Sequence, residues 1–317
     1  MSNVFTIGEA LIDFIPDTRG IDLKSVVNFK KEAGGAPANV ACAVAKLGGK
    51  SVFIGKLGAD AFGDFLVETL NDVGVDTRYV LRTNEANTAL AFVSLKADGD
   101  RDFSFYRNPS ADMLLSEHEV DVNWFAKGDI LHYCSVDLIE APVKYAHLKA
   151  IQAVKAAGGL VSFDPNVRLP LWHNPEDCRQ TILQFIPLSH IVKISSDELS
   201  FITGIEDEQA ALASLFVGDV EAVVYTRGAD GASWYGRGDQ ATEPGQVVAV
   251  VDTTGAGDAF IGALLYQLQL NQGTLEGIDA SKAKEIISFA NKAAALTTTR
   301  PGAISSLPRL EELTESE

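Results

Sequence analysis

The segment VVAVVDTTGAGDAFIGALL, residues 247–265, joins a strand pattern, a glycine loop and a helix pattern. Val247–Val251 is rich in valine and predicts a strand, and Ala259–Leu265 predicts the start of a helix. A strand that leads through a glycine turn into a helix is typical of a parallel sheet with helices on its faces. The same order predicts an anion site, because the first N–H groups of a helix have no partners within it.

Strand and helix patterns alternate over most of the remaining chain. In chain order, the predicted elements are Val4–Ile7, Pro37–Leu47, Val52–Ile54, Ala61–Val73, Ile130–Tyr133, Val143–Ala157, Leu160–Phe163, Cys178–Ile186, His190–Ile194, Ala222–Tyr225, Ala259–Gln269 and Lys282–Thr298. This alternation predicts an α/β fold with a mainly parallel central sheet and helices on both faces. We treat residues 1–317 as a single domain.

Two stretches interrupt the alternation and predict a small β-sheet lid. Ile21–Lys31 is extended in pattern, and Ala89–Leu95 and Phe103–Tyr106 are joined across Ala97-Asp98-Gly99-Asp100. An Asp-Gly pair between two apolar runs is typical of a hairpin turn. We place the lid at about residues 12–32 and 88–108.

Composition excludes several classes of protein. The 317 residues carry 26 basic and 43 acidic side chains, a net charge of −17, and 46% of them are hydrophobic, enough for a sizeable core. Nucleic acid binding is disfavoured, because phosphate backbones are held by clustered Lys and Arg. No apolar run approaches the roughly 20 residues of a membrane span, and Met1–Gly8 lacks the pattern of an export signal. Cys42, Cys134 and Cys178 fit neither a disulfide framework nor a zinc cluster, so we expect a cytoplasmic protein.

The glycine loop at residues 252–258 carries a candidate base. Gly255 and Gly257 lack the Cβ atoms that would block a phosphate oxygen, and Asp258 follows them directly. A carboxylate at this place can accept a proton from an attacking hydroxyl while N–H groups stabilise the transferred phosphoryl group. The alternative is that Asp258 is only an acidic residue of a first helical turn, where it complements the helix dipole.

A second glycine loop precedes the predicted helix Pro37–Leu47. Gly34 and Gly35 allow a ligand to approach the backbone, and Asn39 offers a donor and an acceptor that suit a sugar. Asp13 is a single acid in an apolar stretch, and sugar hydroxyls would satisfy it. The alternatives are a plain connection for the glycine pair and a turn or cap for Asp13.

Together these loops resemble the two signature regions of the ribokinase-like sugar kinases, the PfkB family. The resemblance rests on Ala33–Asn39 with its continuation through Gly55–Gly63, and on residues 252–260. It implies a three-layer α/β/α sandwich with a β-lid, ATP-dependent phosphorylation of a sugar hydroxyl, and Mg2+. The residues matched in the second region are Asp258 as catalytic base and the backbone of Gly255, Ala256 and Gly257 as anion hole. Those matched in the first part of the chain as sugar contacts are Asp13, Gly34, Gly35 and Asn39.

Further positions align with the same family. Glu198 in Ser195-Ser196-Asp197-Glu198 resembles a carboxylate for magnesium-bound water, with Ser195 where the family usually has Asn. Arg168 resembles the arginine that lies near the substrate and the transferred phosphate in such kinases. By the same resemblance Lys193 reaches a phosphate, and the alternative is a solvated surface lysine. The residues that resemble nucleotide contacts are Lys193, Ser195, Thr226, Gly228, Gly231, Gly255, Gly257 and Asn291.

Several relatives in this family also bind a monovalent cation beside the anion hole. The residues here that resemble its oxygen ligands are Asp252, Thr254, Thr297, Arg300, Gly302 and Ser306. A potassium requirement is therefore a hypothesis, and the alternative is that Gly302 only forms a turn.

Local motifs look most like those of fructokinases. They are Gly8–Phe14, Gly34–Val40, Phe103–Arg107 and Asp164–Arg168. This resemblance implies transfer from ATP to the 6-hydroxyl of D-fructose, with Phe105 and Arg107 closing on the sugar; simple packing of Phe105 and a solvated Arg107 are the alternatives. A kinase of 2-keto-3-deoxygluconate, ribose or aminoimidazole riboside stays open, as does a non-catalytic sugar or nucleotide sensor. Exposed lid strands also suggest a homodimer.

Overall fold

The protein was analysed as a computed structural model that describes residues 2–18, 20–95 and 101–314. The predicted turn at Ala97-Asp98-Gly99-Asp100 lies outside the described residues. The strands are β1 (Val4–Ile7), β2 (Leu11–Pro16), β3 (Phe29–Gly34), β4 (Ser51–Gly58), β5 (Asp76–Thr83), β6 (Leu90–Leu95), β7 (Arg101–Tyr106), β8 (Ile130–Cys134), β9 (Leu160–Asp164), β10 (Ile191–Ser195), β11 (Ala222–Thr226), β12 (Ala232–Gly236) and β13 (Gln240–Glu243). The helices are α1 (Ala36–Lys46), α2 (Ala61–Val73), α3 (Pro142–Ala156), α4 (Pro175–Phe185), α5 (Ser196–Thr203), α6 (Glu208–Ser214), α7 (Ala256–Leu270), α8 (Ala280–Thr298) and α9 (Leu310–Thr314).

Within the described ranges, nine strands form the central sheet in the order β13-β12-β11-β10-β9-β8-β1-β4-β5. All pairs from β11 to β5 are parallel, and β12 and β13 extend the sheet as antiparallel strands. Parallel strands place their carboxyl ends at one edge, where such folds bind ligands. The predicted α/β fold with a mainly parallel sheet is confirmed.

Successive side chains along the strands of the central sheet pack into two separate hydrophobic cores, one on each face. Phe5 and Val192 belong to a core that includes side chains of α3 to α6, whereas Val4 and Ile191 belong to a core that includes side chains of α1, α7 and α8. Side chains of neighbouring positions on a strand point to opposite faces, so a sheet buried on both sides has apolar residues at nearly every position. The three layers predicted from the family resemblance are therefore present.

A second sheet of four strands has the order β3-β2-β6-β7. Strands β6 and β7 pair as the predicted hairpin, and β2 pairs in parallel with β6. The predicted extended stretch Ile21–Lys31 is interrupted by a 3-10 turn at Leu23–Ser25 before β3 begins. The pairing places Asp13, Ala91 and Phe105 side by side on one face of this sheet.

The strand predicted at Val247–Val251 is wrong. Residues 244–250 have no regular secondary structure, and Val247 is fully exposed. Strand β13 ends at Glu243, and Pro244 has no N–H group to donate to a ladder. The amides of Val251 and Asp252 donate instead to the Thr298 carbonyl, at 2.8 and 3.2 Å. The valine run thus reaches α7 as a loop that is tied to the end of α8.

Candidate active site

A cavity of about 390 Å³ lies between the carboxyl edge of the central sheet and the second sheet. The lining residues are Glu9, Leu11, Asp13, Gly35, Ala36, Asn39, Phe105, Val136, Asp164, Asn166, Arg168, Leu171, Lys193, Ser195, Glu198, Thr253, Thr254, Gly255, Gly257 and Asp258. The fold therefore brings the two predicted glycine loops together on one cavity, although they are more than 200 residues apart.

Asp258 lies in the first turn of α7 and is 9% exposed. Its Oδ2 accepts a hydrogen bond of 2.8 Å from Asn39 Nδ2 on α1. Burial raises the pKa of Asp258 above its usual value, although the Asn39 bond and the charges of Arg168 and Lys193 oppose the shift. A carboxylate with a raised pKa that faces a cavity is well suited to accept a proton.

The anion site predicted at the start of α7 is built from backbone. Gly255 caps the helix with φ of 76°, a left-handed conformation that glycine adopts without strain. A Cβ atom on Gly257 would lie 3.6 Å from Lys193 Nζ, so the lysine ammonium lies beside the helix start. Two features of the site therefore attract negative charge at one place.

Lys193 forms a buried ion pair behind this helix start. Its Nζ lies 2.9 Å from Asp164 Oδ2, and the two side chains are 8% and 1% exposed. Burial raises the pKa of Asp164 to about 6, although the charge of Lys193 opposes the shift. Burial lowers the pKa of Lys193, but the charges of Asp164, Glu198 and Asp258 and the hydrogen bond to Asp164 together hold this pKa above its usual value. Its burial excludes the alternative of a solvated surface lysine.

Glu198 joins two segments of the cavity wall. Its Oε2 accepts hydrogen bonds from Ser195 N and Oγ, at 3.0 and 2.7 Å, and its Oε1 accepts one of 2.8 Å from Val167 N. Burial would raise the pKa of Glu198, but the charge of Lys193 and these hydrogen bonds lower it. Ser195 thus caps α5 in place of the family's Asn, and Glu198 holds the turn that carries Arg168.

The cavity wall formed by the first glycine loop requires its glycines. A Cβ atom on Gly34 would lie 2.1 Å from Asp13 Oδ2, and one on Gly35 would lie 2.5 Å from the Glu9 carbonyl oxygen. Gly35 also has φ of 102°. Both glycines therefore leave room for close neighbours, and Asp13 and Gly35 line the cavity. Gly34 lies directly behind Asp13.

Arg107 is not among the residues that line this cavity. It follows β7 and forms buried ion pairs with Asp112 and Asp137. Burial would lower the pKa of Arg107, but Asp112, Asp137 and Glu9 raise it above its usual value. The alternative of a solvated Arg107 is thereby excluded. Glu9, which sequence analysis did not select, lines the cavity and accepts a 3.0 Å hydrogen bond from Ala36 N.

Of the predicted nucleotide residues, Lys193, Ser195, Gly255 and Gly257 line the cavity, whereas the other four lie outside it. Thr226 ends β11 and pairs in register with Ser195 of the cavity wall. Gly228 and Gly231 have φ of 54° and 94° in the turn that follows. Asn291 Nδ2 donates to the carbonyls of Glu243 and Pro244, at 3.2 and 3.1 Å. These residues are outside the lining of the described cavity.

The loops predicted to bind a monovalent cation meet at Asp252. Its Oδ1 accepts a hydrogen bond of 2.9 Å from Thr254 N, and its Oδ2 accepts one of 3.0 Å from Gly302 N. Thr297 and Ser306 are fully buried, and the Arg300 side chain pairs with Glu312. In the ranges that the structure covers, no group of three or more His, Cys, Asp or Glu side chains is arranged to hold a metal.

Sequence analysis missed Glu9, Asp112 and Asp137, and gave Asp164 no role of its own. Glu9 lies two residues after β1 in the same mostly apolar stretch as Asp13, so the cost of burying an acid, which selected Asp13, applies to Glu9 as well. Asp112 and Asp137 gave no comparable signal, because they enter the site region only through their pairing with Arg107.

A buried proton acceptor beside an anion-binding helix start is suited to transfer of a phosphoryl group to a hydroxyl. Residues 1–310 match the model of the pfkB family carbohydrate kinases. The chain belongs to this family and is a phosphotransferase with an alcohol group as acceptor, as the sequence resemblance predicted.

Three relatives are especially similar. Probable fructokinase-5 of Arabidopsis thaliana is 46% identical over 306 residues, which cover 96% of this chain and 94% of the plant protein. The crystal structure of a Vibrio cholerae fructokinase in a form with fructose, ADP and calcium ion bound is 37% identical and has a TM-score of 0.88, covering 99% of this chain and 98% of the other. Aminoimidazole riboside kinase from Salmonella enterica, complexed with aminoimidazole riboside and an ATP analogue, is 32% identical with a TM-score of 0.85 and 98% coverage of both chains.

None of the described helices is a candidate for a membrane span. No helix in the described part of the chain combines the length and the apolar character needed to cross a bilayer.

Proposed function

We propose that this protein transfers the γ-phosphoryl group of ATP to the 6-hydroxyl of D-fructose, giving fructose 6-phosphate and ADP. The observation that carries the proposal is the buried Asp258 carboxylate, held 2.8 Å from Asn39 between the glycine-capped start of α7 and the cavity. The sugar is chosen because the plant relative and the Vibrio cholerae enzyme are fructokinases and because the local motifs resemble theirs.

In this reaction Asp258 accepts the proton of the sugar hydroxyl while the oxygen of that hydroxyl forms a bond to the γ-phosphorus. The bond from that phosphorus to the bridging oxygen breaks in line, and its electron pair leaves with ADP. The backbone of Gly255, Ala256 and Gly257 binds the phosphoryl oxygens through N–H groups. Lys193 and Arg168, which line the cavity, add positive charge where the transferred group passes.

Polar groups on the opposite wall hold the sugar. Asn39 Oδ1 is buried and accepts no hydrogen bond within the described residues, so it is suited to a sugar hydroxyl. Asp13 accepts hydrogen bonds from further hydroxyls, and the backbone of Gly34 and Gly35 lets the ring approach closely. Phe105, on the same face of the second sheet as Asp13, covers the sugar and excludes water. Arg107, which directly follows β7, joins the end of this sheet to Asp112 and Asp137 through ion pairs.

Two ions belong to the proposal. Glu198 has hydrogen-bonding capacity left on its oxygens and lines the cavity, so it fits a water molecule of bound Mg2+, which neutralises phosphate charge. The residues proposed for K+ are Asp252, Thr254, Thr297, Arg300, Gly302 and Ser306; the Asp252–Gly302 hydrogen bond that joins their two loops supports this. The nucleotide itself lies along Ser195, Thr226, Gly228, Gly231 and Asn291. Equal activity in potassium, sodium and Tris buffers would refute the potassium requirement.

The remaining parts of the proposal concern organisation. We infer one domain over residues 1–317, with the second sheet as its lid. Strands β3 and β7 are the outer strands of that sheet, and we propose a homodimer that forms through them. The three free cysteines support the proposed cytoplasmic location.

The second candidate is a kinase of aminoimidazole riboside, which the similar Salmonella enterica structure favours. ADP release with magnesium-ATP and potassium, measured for fructose, ribose, 2-keto-3-deoxygluconate, mannose, glucose, adenosine and aminoimidazole riboside, separates the candidates. Preference for fructose supports the proposal, and preference for another sugar replaces the substrate while keeping the mechanism. Asp258→Asn should fold and lose several orders of magnitude in turnover; a variant within about tenfold of wild type would show that another base acts.

A further inference from the structure

We propose that Asp164 is a positioning residue that keeps the Lys193 ammonium beside the start of α7 and away from the carboxylate of Asp258. This inference rests on the proposed function of the site. Asp164 is the last residue of β9, and Lys193 is the third residue of the adjacent strand β10. Their 2.9 Å contact joins two side chains of neighbouring parallel strands.

Lys193 has a choice of carboxylates inside the site. The negative charges that act on it are those of Asp164, Glu198 and Asp258, in this order of strength. Glu198 is already bound by Ser195 and by the Val167 amide. Asp258 is held by one hydrogen bond, from Asn39. Without Asp164, the flexible lysine side chain would therefore be drawn toward Asp258.

Contact between Lys193 and Asp258 would impair catalysis in two ways. An ammonium against the carboxylate favours its ionised form, which makes Asp258 a weaker proton acceptor. The ammonium would also leave the neighbourhood of Gly257, where the charge of the transferred phosphoryl group develops. Asp164 prevents both changes because it contacts Lys193 directly and its charge acts on Lys193 more strongly than that of Asp258.

The Asp164 carboxylate is itself well fixed. Its second oxygen, Oδ1, accepts a hydrogen bond of 3.2 Å from Asn166 N. Asn166 has φ of 44°, a left-handed conformation in a turn that continues to Arg168. Asp164 thus contacts the turn that carries Arg168 and forms an ion pair with Lys193 directly.

The test is a double-mutant cycle of Asp164→Asn, Lys193→Met and the double variant, assayed for kcat with saturating ATP and the sugar that wild type phosphorylates. We expect Asp164→Asn to lower kcat by at least about tenfold, and the double variant to match Lys193→Met within about threefold, because Asp164 acts through the lysine. Losses that simply multiply would overturn the proposal.

The pH dependence of kcat supplies a readout that a purely structural role would not move. The charged side chains acting on Asp258 are Arg168, Lys193 and Asp164 itself. The shift that Asp164→Asn causes through Lys193 is therefore its shift relative to wild type minus the shift between Lys193→Met and the double variant. If Lys193 moves toward Asp258 in Asp164→Asn, the rising limb of the profile shifts to lower pH, and the double variant loses this shift. An unshifted limb in Asp164→Asn contradicts the proposal. Asp129→Asn is the matched control: Asp129 is buried and hydrogen-bonded to Asn3, outside the cavity.

A crystal structure of Asp164→Asn decides the question independently of activity. We expect Lys193 Nζ within hydrogen-bond distance of Asp258; an ammonium that stays in place or turns to Glu198 refutes the inference even if the proposed reaction is correct. Conversely, a wild-type enzyme that phosphorylates no sugar of the panel refutes the proposed function, while a displaced Lys193 would still support this inference.

Discussion

Replacing Asn39 with aspartate would place a second carboxylate against Asp258. The amide nitrogen of Asn39 lies 2.8 Å from Asp258 Oδ2, and aspartate has nearly the same shape. The variant therefore exchanges an attractive contact for a repulsive one. Two carboxylates that share a site cannot both ionise readily, so the pKa of Asp258, which burial already raises, should rise further.

The size of this effect follows from the distance. Two unit charges 2.8 Å apart repel by about 6 kcal/mol at an effective dielectric constant of about 20. At about 1.4 kcal/mol per pKa unit, this corresponds to about four units. Movement of the two side chains away from each other reduces the repulsion. We therefore expect the pKa of Asp258 to increase by about two to four units.

The assay is kcat measured as ADP release between pH 5 and pH 10 with saturating sugar and ATP. For N39D, the part of the pH profile in which kcat rises should move to higher pH. Turnover should therefore fall sharply at pH 7 and recover in alkaline buffer. Asn39→Ala removes the hydrogen bond without adding charge and should move the limb less. Asn123→Asp adds the same charge at an exposed position outside the cavity and should leave it unchanged. A limb that coincides with that of wild type in N39D would refute Asp258 as the proton acceptor.

Three further predictions concern the free energy of unfolding, measured with urea. Burial raises the pKa of Glu9 from 4.5 to about 7, so the stability that this raised pKa contributes is fully present below pH 4.5 and is lost as the pH rises through 7. Between pH 5 and pH 8, the free energy of unfolding of Glu9→Gln should therefore increase by roughly 3 kcal/mol relative to that of wild type. Gly262→Ala would bring its Cβ within 2.5 Å of Ala43 Cβ, and the overpacking should cost about 1–3 kcal/mol. Arg107→Met leaves buried Asp112 and Asp137 without their cation and should cost about 3–5 kcal/mol.

Each of these variants has a control. The difference between Glu9→Gln and wild type should not depend on pH if Glu9 stays ionised in the folded state, and that result would contradict the first prediction. Gly238→Ala has open space around its Cβ and should be nearly neutral. Arg78→Met removes an exposed ion pair with Asp76 and should leave stability almost unchanged. A loss as small as this in Arg107→Met would show that the buried pairs contribute little.

The fold was largely predictable because its sheet is buried on both sides. Strands such as Val4–Ile7 and Ala222–Thr226 are apolar at nearly every position, and the intervening helices bury one face. The valine run at 247–251 failed because composition gives the preference for extended backbone but not the partner strand, and here no strand pairs with it. Strand β5, with its polar and half-buried residues, gave no clear apolar signal.

The candidate site was predictable where the backbone is special. Glycine positions such as Gly35 and Gly255 are visible in sequence because left-handed turns need them. Pairings between distant side chains are not visible, since a sequence alone does not show that Arg107 meets Asp137 or that Lys193 meets Asp164. The role of a charged residue therefore required the structure, whereas the position of the anion site did not.

The hydrogen bond between Asn39 and Asp258 spans 219 positions of the chain. During synthesis, the loop that precedes Asn39 leaves the ribosome long before Asp258 does. Contacts so distant in sequence form slowly. If Asp258 is the proton acceptor, a nascent chain is inactive until α7 docks on α1, and activity should return in the last kinetic phase of refolding.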